Sequence, residues 1–369
     1  MIALKTMPES DAARLSSLDV SQLILPRTSQ QRLSDAINQP AIQKLVGEVW
    51  MSNELHLLFA DTGVGKSILA VAIGDALSKG KNVLFLKNEC RPLTVLYYDF
   101  ELSDRQFLNR YSSESGGGFG FSNHFYVDTI NFADLFNIGG ENSFEKTLFR
   151  KIRHDVETLK ADVLIIDNIT YLKTQTTQKT DSALELMREL TDLKREFNLS
   201  ILVLAHTPKI DQSSPLTINS LAGSKHLSNF ADSVSAIGKS TLGPNIRYIK
   251  QVKPSRSAEM VYDTNNVITC QISKTDNFLT FDHTGFDNEM IHLKQQDRDD
   301  KVGEAQRLLN EGKSYSQIAE AVLGDPSKKG TIHKWLQSKP GTTVSSVSSV
   351  SNSEYGNGGN DGNGNEVPF

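Results

Sequence analysis

The feature that most constrains this chain is a short loop between two apolar segments. Leu55-His56-Leu57-Leu58-Phe59 reads as a buried strand, and Ala60-Asp61-Thr62-Gly63-Val64-Gly65-Lys66-Ser67 follows it. From Lys66 to Leu77 the spacing becomes helical, with Ile68, Leu69 and Val71 on apolar positions. Two glycines before a helix start let successive backbone N–H groups wrap an anion, and the positive end of the helix adds to the attraction. A lysine and a hydroxyl at the first helical positions complete the Gly-x-x-x-x-Gly-Lys-Ser/Thr form of a phosphate-binding loop, with Ala60 standing in the first glycine's place. The segment predicts ATP held by Asp61, Thr62, Gly63, Val64, Gly65, Lys66, Ser67 and Ile68. Lys66 has the reach to serve the β- and γ-phosphates as a catalytic cation, and Ser67 is placed to ligate Mg²⁺.

Acids close two later apolar runs. Val163-Leu164-Ile165-Ile166-Asp167 is a strand ending in a carboxylate, the second metal-holding group such a loop requires. The next residue is Asn168 and not an acid, so a base for the attacking water has to come from elsewhere. Tyr97-Tyr98-Asp99-Phe100-Glu101-Leu102-Ser103 offers two, spaced by one residue and pointing the same way at the end of a strand expected beside the phosphate-loop strand. Glu101 is the first candidate for the catalytic base and Asp99 the second, with Glu101 as a simple helix cap the plainer alternative.

Around these motifs, apolar runs at Leu55–Ala60, Val83–Leu86, Val95–Asp99, Val163–Asp167 and Ile201–Ala205 alternate with helical patterns at Lys66–Leu77, Asp104–Tyr111, Phe144–Leu159 and Ser182–Phe197. Strands without a polar face, separated by helices, predict an α/β domain over residues 41–290 with a mostly parallel sheet. Runs at Ser233–Ile237, Ile246–Val252, Val267–Ile272 and Phe278–Phe281 lie close together and read as antiparallel additions to one edge. Residues 1–40 form a mixed N-terminal segment with a helical stretch near Gln31–Ile37, 291–300 a polar linker, 301–338 a small helical module, and 339–369 a Ser/Val and Gly/Asn-rich tail expected to be disordered. Two cysteines in 369 residues and no long apolar run predict a cytoplasmic protein with neither disulfide framework nor membrane span. A net charge of −5 excludes a protein that coats nucleic acid through bulk charge and leaves room for a local basic groove.

Four stretches, taken in order, resemble the RecA/DnaB-type ATPases, most closely the RepA-like hexameric replicative helicases and their AAA_25 relatives. They are residues 60–67, Val95–Ser103, Val163–Asp167 and Leu202-Val203-Leu204-Ala205-His206-Thr207. The resemblance covers about residues 41 to 285. It implies a RecA-like core, and it makes Ala60 ordinary, since DnaB-type helicases also carry alanine there. It further implies Glu101 as catalytic base and His206 as the residue that senses the γ-phosphate. Active sites in this family form between subunits, so a homo-oligomer, expected as a hexamer, is implied. Arg247-Tyr248-Ile249-Lys250-Gln251-Val252-Lys253-Pro254-Ser255-Arg256 resembles the strand and loop that supply cations to a neighbour. Lys250 is the first such candidate, with Arg256 or Lys253 the second; a charged edge strand is the plainer reading. The loop after the fourth stretch lines a channel for single-stranded DNA in the family, which points to Ser224, Lys225 and His226.

The C-terminal module shows three short helical patterns, at Glu304–Asn310, Ser314–Leu323 and Lys328–Gln337, separated by glycine stops. They resemble the helix-turn-helix of resolvase-like DNA-binding segments, with the third as recognition helix presenting Lys328, Lys329, Thr331, His333 and Lys334 to DNA. Seven Lys or Arg face four acids between residues 301 and 340, a local excess of +3. A helical bundle for oligomer contacts is the alternative. Together these readings predict an ATP-driven motor acting on DNA, of the kind that replicates plasmids or mobile elements. An ATP-switched, non-translocating DNA-binding protein for replication or transposition, or a RecA-like recombination or repair ATPase, are the competing readings.

Overall fold

The structure is a computed structural model that describes residues 26–130, 144–169, 180–207, 212–221, 224–293 and 295–337. The chain divides into two compact units, one ending at Gln295 and the other beginning at Gln296.

In the first unit, helix α1 (Ser29–Ile37) is started by Thr28 and Gln31, each bonding the other's backbone N–H. A two-stranded ribbon of β1 (Lys44–Val46) and β2 (Trp50–Met51) leads into β3 (Leu55–Ala60), the phosphate loop, and α2 (Lys66–Ser78). Then come β4 (Val95–Asp99), α3 (Asp104–Arg110), β5 (Phe125–Thr129), α4 (Phe144–Leu159), β6 (Val163–Asp167), α5 (Thr180–Phe197) and β7 (Ser200–His206). The unit is completed by α6 (Ser224–Phe230), β8 (Ser233–Lys239), β9 (Ile246–Lys253), β10 (Val267–Thr275) and β11 (Phe278–Asp287).

Nine strands form one sheet in the order β11-β10-β9-β8-β3-β7-β6-β4-β5. From β8 to β5 all pairings are parallel, and from β8 outward to β11 they are antiparallel. This is the α/β RecA-like core that the motifs implied. Residues of alternate parity enter opposite cores: Leu57, Phe59, Leu164, Ile166 and Val203 pack with α4 and α5, while Leu58, Val163, Ile165, Leu202 and Leu204 pack with α2. Burial on both faces is why these strands lack a polar alternation.

Three expectations are corrected. Val83–Leu86 is no strand: Val83 and Leu86 exchange both backbone hydrogen bonds across a two-residue turn. Ser233–Ile237 is not an antiparallel addition, because α6 returns the chain so that β8 runs parallel to β3. The Glu101-bearing strand does not lie beside the phosphate-loop strand, since β7 and β6 intervene. β5 went unread, its short run hidden behind the Gly-rich stretch 116–120. At β8, Gly238 faces Tyr248 of β9, and a methyl group on Gly238 would fall 2.0 Å from the Tyr248 ring.

In the second unit, α7 (Gln295–Asn310), α8 (Tyr315–Leu323) and α9 (Lys329–Gln337) close on Ala305, Ile318, Ala319 and Ile332, flanked by Leu308, Val322 and Trp335. Residues 295–300, read as linker, are the first turns of α7. Ser314 and Gln317 box the start of α8, and Gly324, at φ 65°, ends it in the left-handed region. The tail assigned to disorder, 339–369, lies outside the described residues. Among the described residues no helix is long and apolar enough to cross a membrane.

Candidate active site

The phosphate loop leaves β3 at Ala60, which is still extended and so needs no glycine freedom. Asp61 then folds the loop on itself, its Oδ1 accepting from the Thr62 N–H at 2.7 Å. Gly63 and Gly65 take φ of 71° and 115°, values a side chain would strain. Gly65 carries a second constraint: a Cβ there would come within 2.9 Å of the Phe281 ring on β11. Arg247, buried at the start of β9, donates through Nε to the Val64 carbonyl at 2.9 Å and ties the loop to the antiparallel strands.

Lys66 is buried, and its Nζ donates to the Ala60 and Asp61 carbonyls at 2.9 and 3.0 Å and contacts His206 Nδ1 at 3.0 Å. None of the three partners is a carboxylate, and burial pulls the ammonium down to about 8. Asp167, at the end of β6, is also buried, and burial raises its carboxyl to about 6. Ser67 stands against this carboxylate and favours its charged form. On the other side, Tyr97 of β4 donates its hydroxyl to Oδ2 at 2.6 Å, and burial drives that phenol far above its usual range. Asp167 Oδ1 is buried without a protein hydrogen-bond partner.

An orphaned carboxylate oxygen beside a serine hydroxyl fits a hydrated Mg²⁺ ion, and a lysine with no carboxylate among its hydrogen-bond partners fits a phosphate next to it.

β4 delivers Glu101 to the same cleft. Asp99 Oδ1 accepts from the Glu101 and Leu102 N–H groups at 2.9 and 2.8 Å, turning the chain so that the Glu101 side chain faces Asn168 and His206. Asp99 is thus buried under the turn, which leaves Glu101 as the carboxylate at the surface of the cleft. Asn168 Nδ2 donates to Glu101 Oε1 in a short contact, and His206 Nε2 lies 2.8 Å from Asn168 Nδ2 and 3.4 Å from Glu101 Oε1. Thr62, Gly63, Gly65, Lys66, Ser67, Ile68, Glu101 and His206 line one cleft, joined by Arg110 from the end of α3. Arg110 has a buried Nη1 without a partner.

Sequence reasoning missed Tyr97, Arg110 and Arg247. For Arg110 the available signal was a cation nine residues past Glu101 on a short helix; Arg247 and Tyr97 carried none that outlives strand register.

The cations assigned to a neighbouring subunit do not share one fate. Lys250 is buried, donating to Glu289 Oε2 at 2.5 Å, Thr264 Oγ1 at 2.8 Å and the Leu216 carbonyl at 2.9 Å. Its charge is consumed within its own chain, which corrects its assignment as a trans residue. Lys253 caps α6, donating to the Ser228 and Ala231 carbonyls at 3.0 and 2.6 Å. Arg256 has an exposed side chain with a 3.3 Å contact to Asp232. Lys253 and Arg256 lie toward the end of β9 that pairs with Val234, away from their own phosphate loop, whereas Lys250 pairs with Ala236, level with Phe59.

Ser224, Lys225 and His226 open α6, but their side chains lie outside the described residues. Lys328, Lys329, Thr331, His333 and Lys334 are all exposed at and along α9, while Ile332 turns into the module's core.

Comparison with known proteins gives one family: the model of AAA_25, described as an AAA domain, matches residues 22–212. That span holds Lys66, Ser67, Glu101, Asp167 and His206, and it ends before β8 to β11 and the C-terminal module. No curated protein matches the sequence. Among solved structures, a KaiC-like protein from the hyperthermophilic archaeon Pyrococcus horikoshii OT3 aligns at 14% identity over 65% of this chain and 99% of that one, with a TM-score of 0.44.

Proposed function

Because this chain belongs to the AAA_25 family of AAA domains, we propose that it is an ATP-hydrolysing, DNA-dependent motor of the RepA-like replicative helicase type, working as a homo-oligomer, with a hexamer expected. One observation carries the reading: Lys66, Ser67, Glu101 and His206 line a single cleft, with the Asp167 carboxylate against Ser67.

In this reading Lys66 exchanges its carbonyl acceptors for the β- and γ-phosphates, a gain for a buried ammonium that hydrogen-bonds no carboxylate. Mg²⁺ would be held by Ser67 and Asp167, and when bound it neutralises charge on the β- and γ-oxygens. Glu101 orients the attacking water and takes its proton. His206 touches both Lys66 and the Asn168–Glu101 pair, so it reports the state of the phosphate site to β7. Arg110 adds positive charge from the same subunit. Arg256 is the remaining candidate to serve a neighbour's site, with Lys253 available only if α6 gives up its cap.

DNA is the proposed partner. Single strands would meet Ser224, Lys225 and His226, and α9 would present Lys328, Lys329, Thr331, His333 and Lys334 to a duplex. The exposed cations of α9 equally suit a second reading, in which ATP switches a non-translocating DNA-binding protein. Strand displacement on a forked duplex, with wild type and Glu101→Gln, separates the two. The motor unwinds with ATP and the variant binds ATP without turning it over. DNA-stimulated ATPase activity with no unwinding sinks the helicase reading, and normal turnover in Glu101→Gln sinks the assignment of the base.

A further inference from the structure

Tyr97 sits in β4 where an aromatic ring is all that packing demands. It is fully buried among Val95, Val163 and Ile165, with the Phe125 ring edge-on at 6.2 Å. A phenylalanine would fill this place, and a buried hydroxyl costs stability unless it is bonded. The Tyr97 hydroxyl has a bond, 2.6 Å to Asp167 Oδ2. Strand register arranges it: Tyr97 pairs with Ile165 and Asp99 with Asp167, so a side chain extending along β4 from Tyr97 arrives beside the end of β6. The result is an asymmetric carboxylate, with Oδ2 fixed by a protein donor and Oδ1 buried with none.

We propose that Tyr97 is a positioning residue for the divalent-metal site: its hydroxyl locks the Asp167 side chain so that Oδ1, and not Oδ2, is presented to the hydrated ion beside Ser67. Groups that orient metal-holding side chains from behind typically matter by about ten- to a hundredfold in metal affinity. The inference rests on the nucleotide site proposed above and adds a residue to it.

The test is Tyr97→Phe, which keeps the ring and removes only the hydroxyl, made in the full chain. Mn²⁺ binding in the presence of a non-hydrolysable ATP analogue is followed by electron paramagnetic resonance, and analogue binding in EDTA by fluorescence. We expect the Mn²⁺ half-saturation to rise about tenfold, with metal-free nucleotide binding within about twofold of wild type on the same reasoning. In an Asp167→Asn background the Tyr97→Phe change is expected to have no further effect on Mn²⁺, because the residue it acts through is gone. Unchanged Mn²⁺ binding in the single variant overturns the proposal. So does equal weakening with and without metal, which makes Tyr97 a shaper of the pocket only, or an undiminished effect in the Asp167→Asn background. Failure of the wild type to bind the analogue at all would instead remove the nucleotide site itself.

Discussion

Two lysines, Lys66 and Lys250, are equally buried, each with 6% of its surface exposed, yet they have been settled in opposite ways. Lys250 meets a carboxylate: Glu289, itself fully buried, takes its proton-bearing head at 2.5 Å, and Thr264 and the Leu216 carbonyl complete the shell. Glu289 also accepts from the Leu216 N–H at 2.7 Å, so one ion pair grips both backbone groups of Leu216. Lys66 meets two carbonyls and an imidazole, with no carboxylate among its hydrogen-bond partners. Asp167, Glu101 and Asp61 act on it only from beyond hydrogen-bond reach, and a buried ammonium with no carboxylate in direct contact is costly to the fold and ready for an anion. Burial alone therefore does not separate a structural lysine from a functional one; the charge of the nearest acceptor does.

The sharpest way to break this contrast is to remove each lysine. Lys66→Met is expected to lower ATP turnover roughly a thousandfold, about 4 kcal/mol of barrier, with the folded state intact by circular dichroism. Lys250→Met is expected to cost about 3 kcal/mol or more of stability, because it strands a buried Glu289; urea unfolding reads this. Adding Glu289→Leu to Lys250→Met should return most of the loss, and a double variant as unstable as the single one would show that the pair is not the cause.

A smaller effect sharpens the comparison through pH. The unfolded chain holds a lysine proton up to 10.5, whereas folded Lys66 releases it near 8. Between those values the unfolded state binds more protons, so Lys66 penalises folding fully below pH 8 and less as pH rises toward 10.5. Lys66→Met should thus raise the melting stability by about 1 kcal/mol at pH 7, after allowance for partial exposure and lost hydrogen bonds. That gain should shrink by pH 10, and calorimetry across the range checks its sign. Smallest of all, Lys253, like Lys66, hydrogen-bonds no carboxylate, but water reaches it and the carbonyls it bonds end a helix. Lys253→Met should cost no more than about 1 kcal/mol.

The sequence already disclosed what is local. The phosphate loop, the acid ending β6 and the two acids ending β4 are each contained in a handful of residues, and the structure brings the ends of those strands together. Lys250 was legible only as a question, a charge on an apolar strand that required a reason. The answer lies at Glu289, and neither spacing nor composition links the two positions. Tyr97 with Asp167 and Arg247 with Val64 depend on which strand lies beside which, information that exists only once the sheet has been assembled. The direction of β8 turned on α6, a helix of seven residues, too short for its periodicity to stand out.

The facing of Gly238 and Tyr248 has a consequence for descent. With no room for even a methyl group beneath that ring, position 238 cannot gain a side chain while Tyr248 keeps its ring without displacing a strand of the sheet that carries the site. Lineages should therefore inherit the two as one character: an alignment of relatives is expected to show a side chain at position 238 only where position 248 has surrendered its ring.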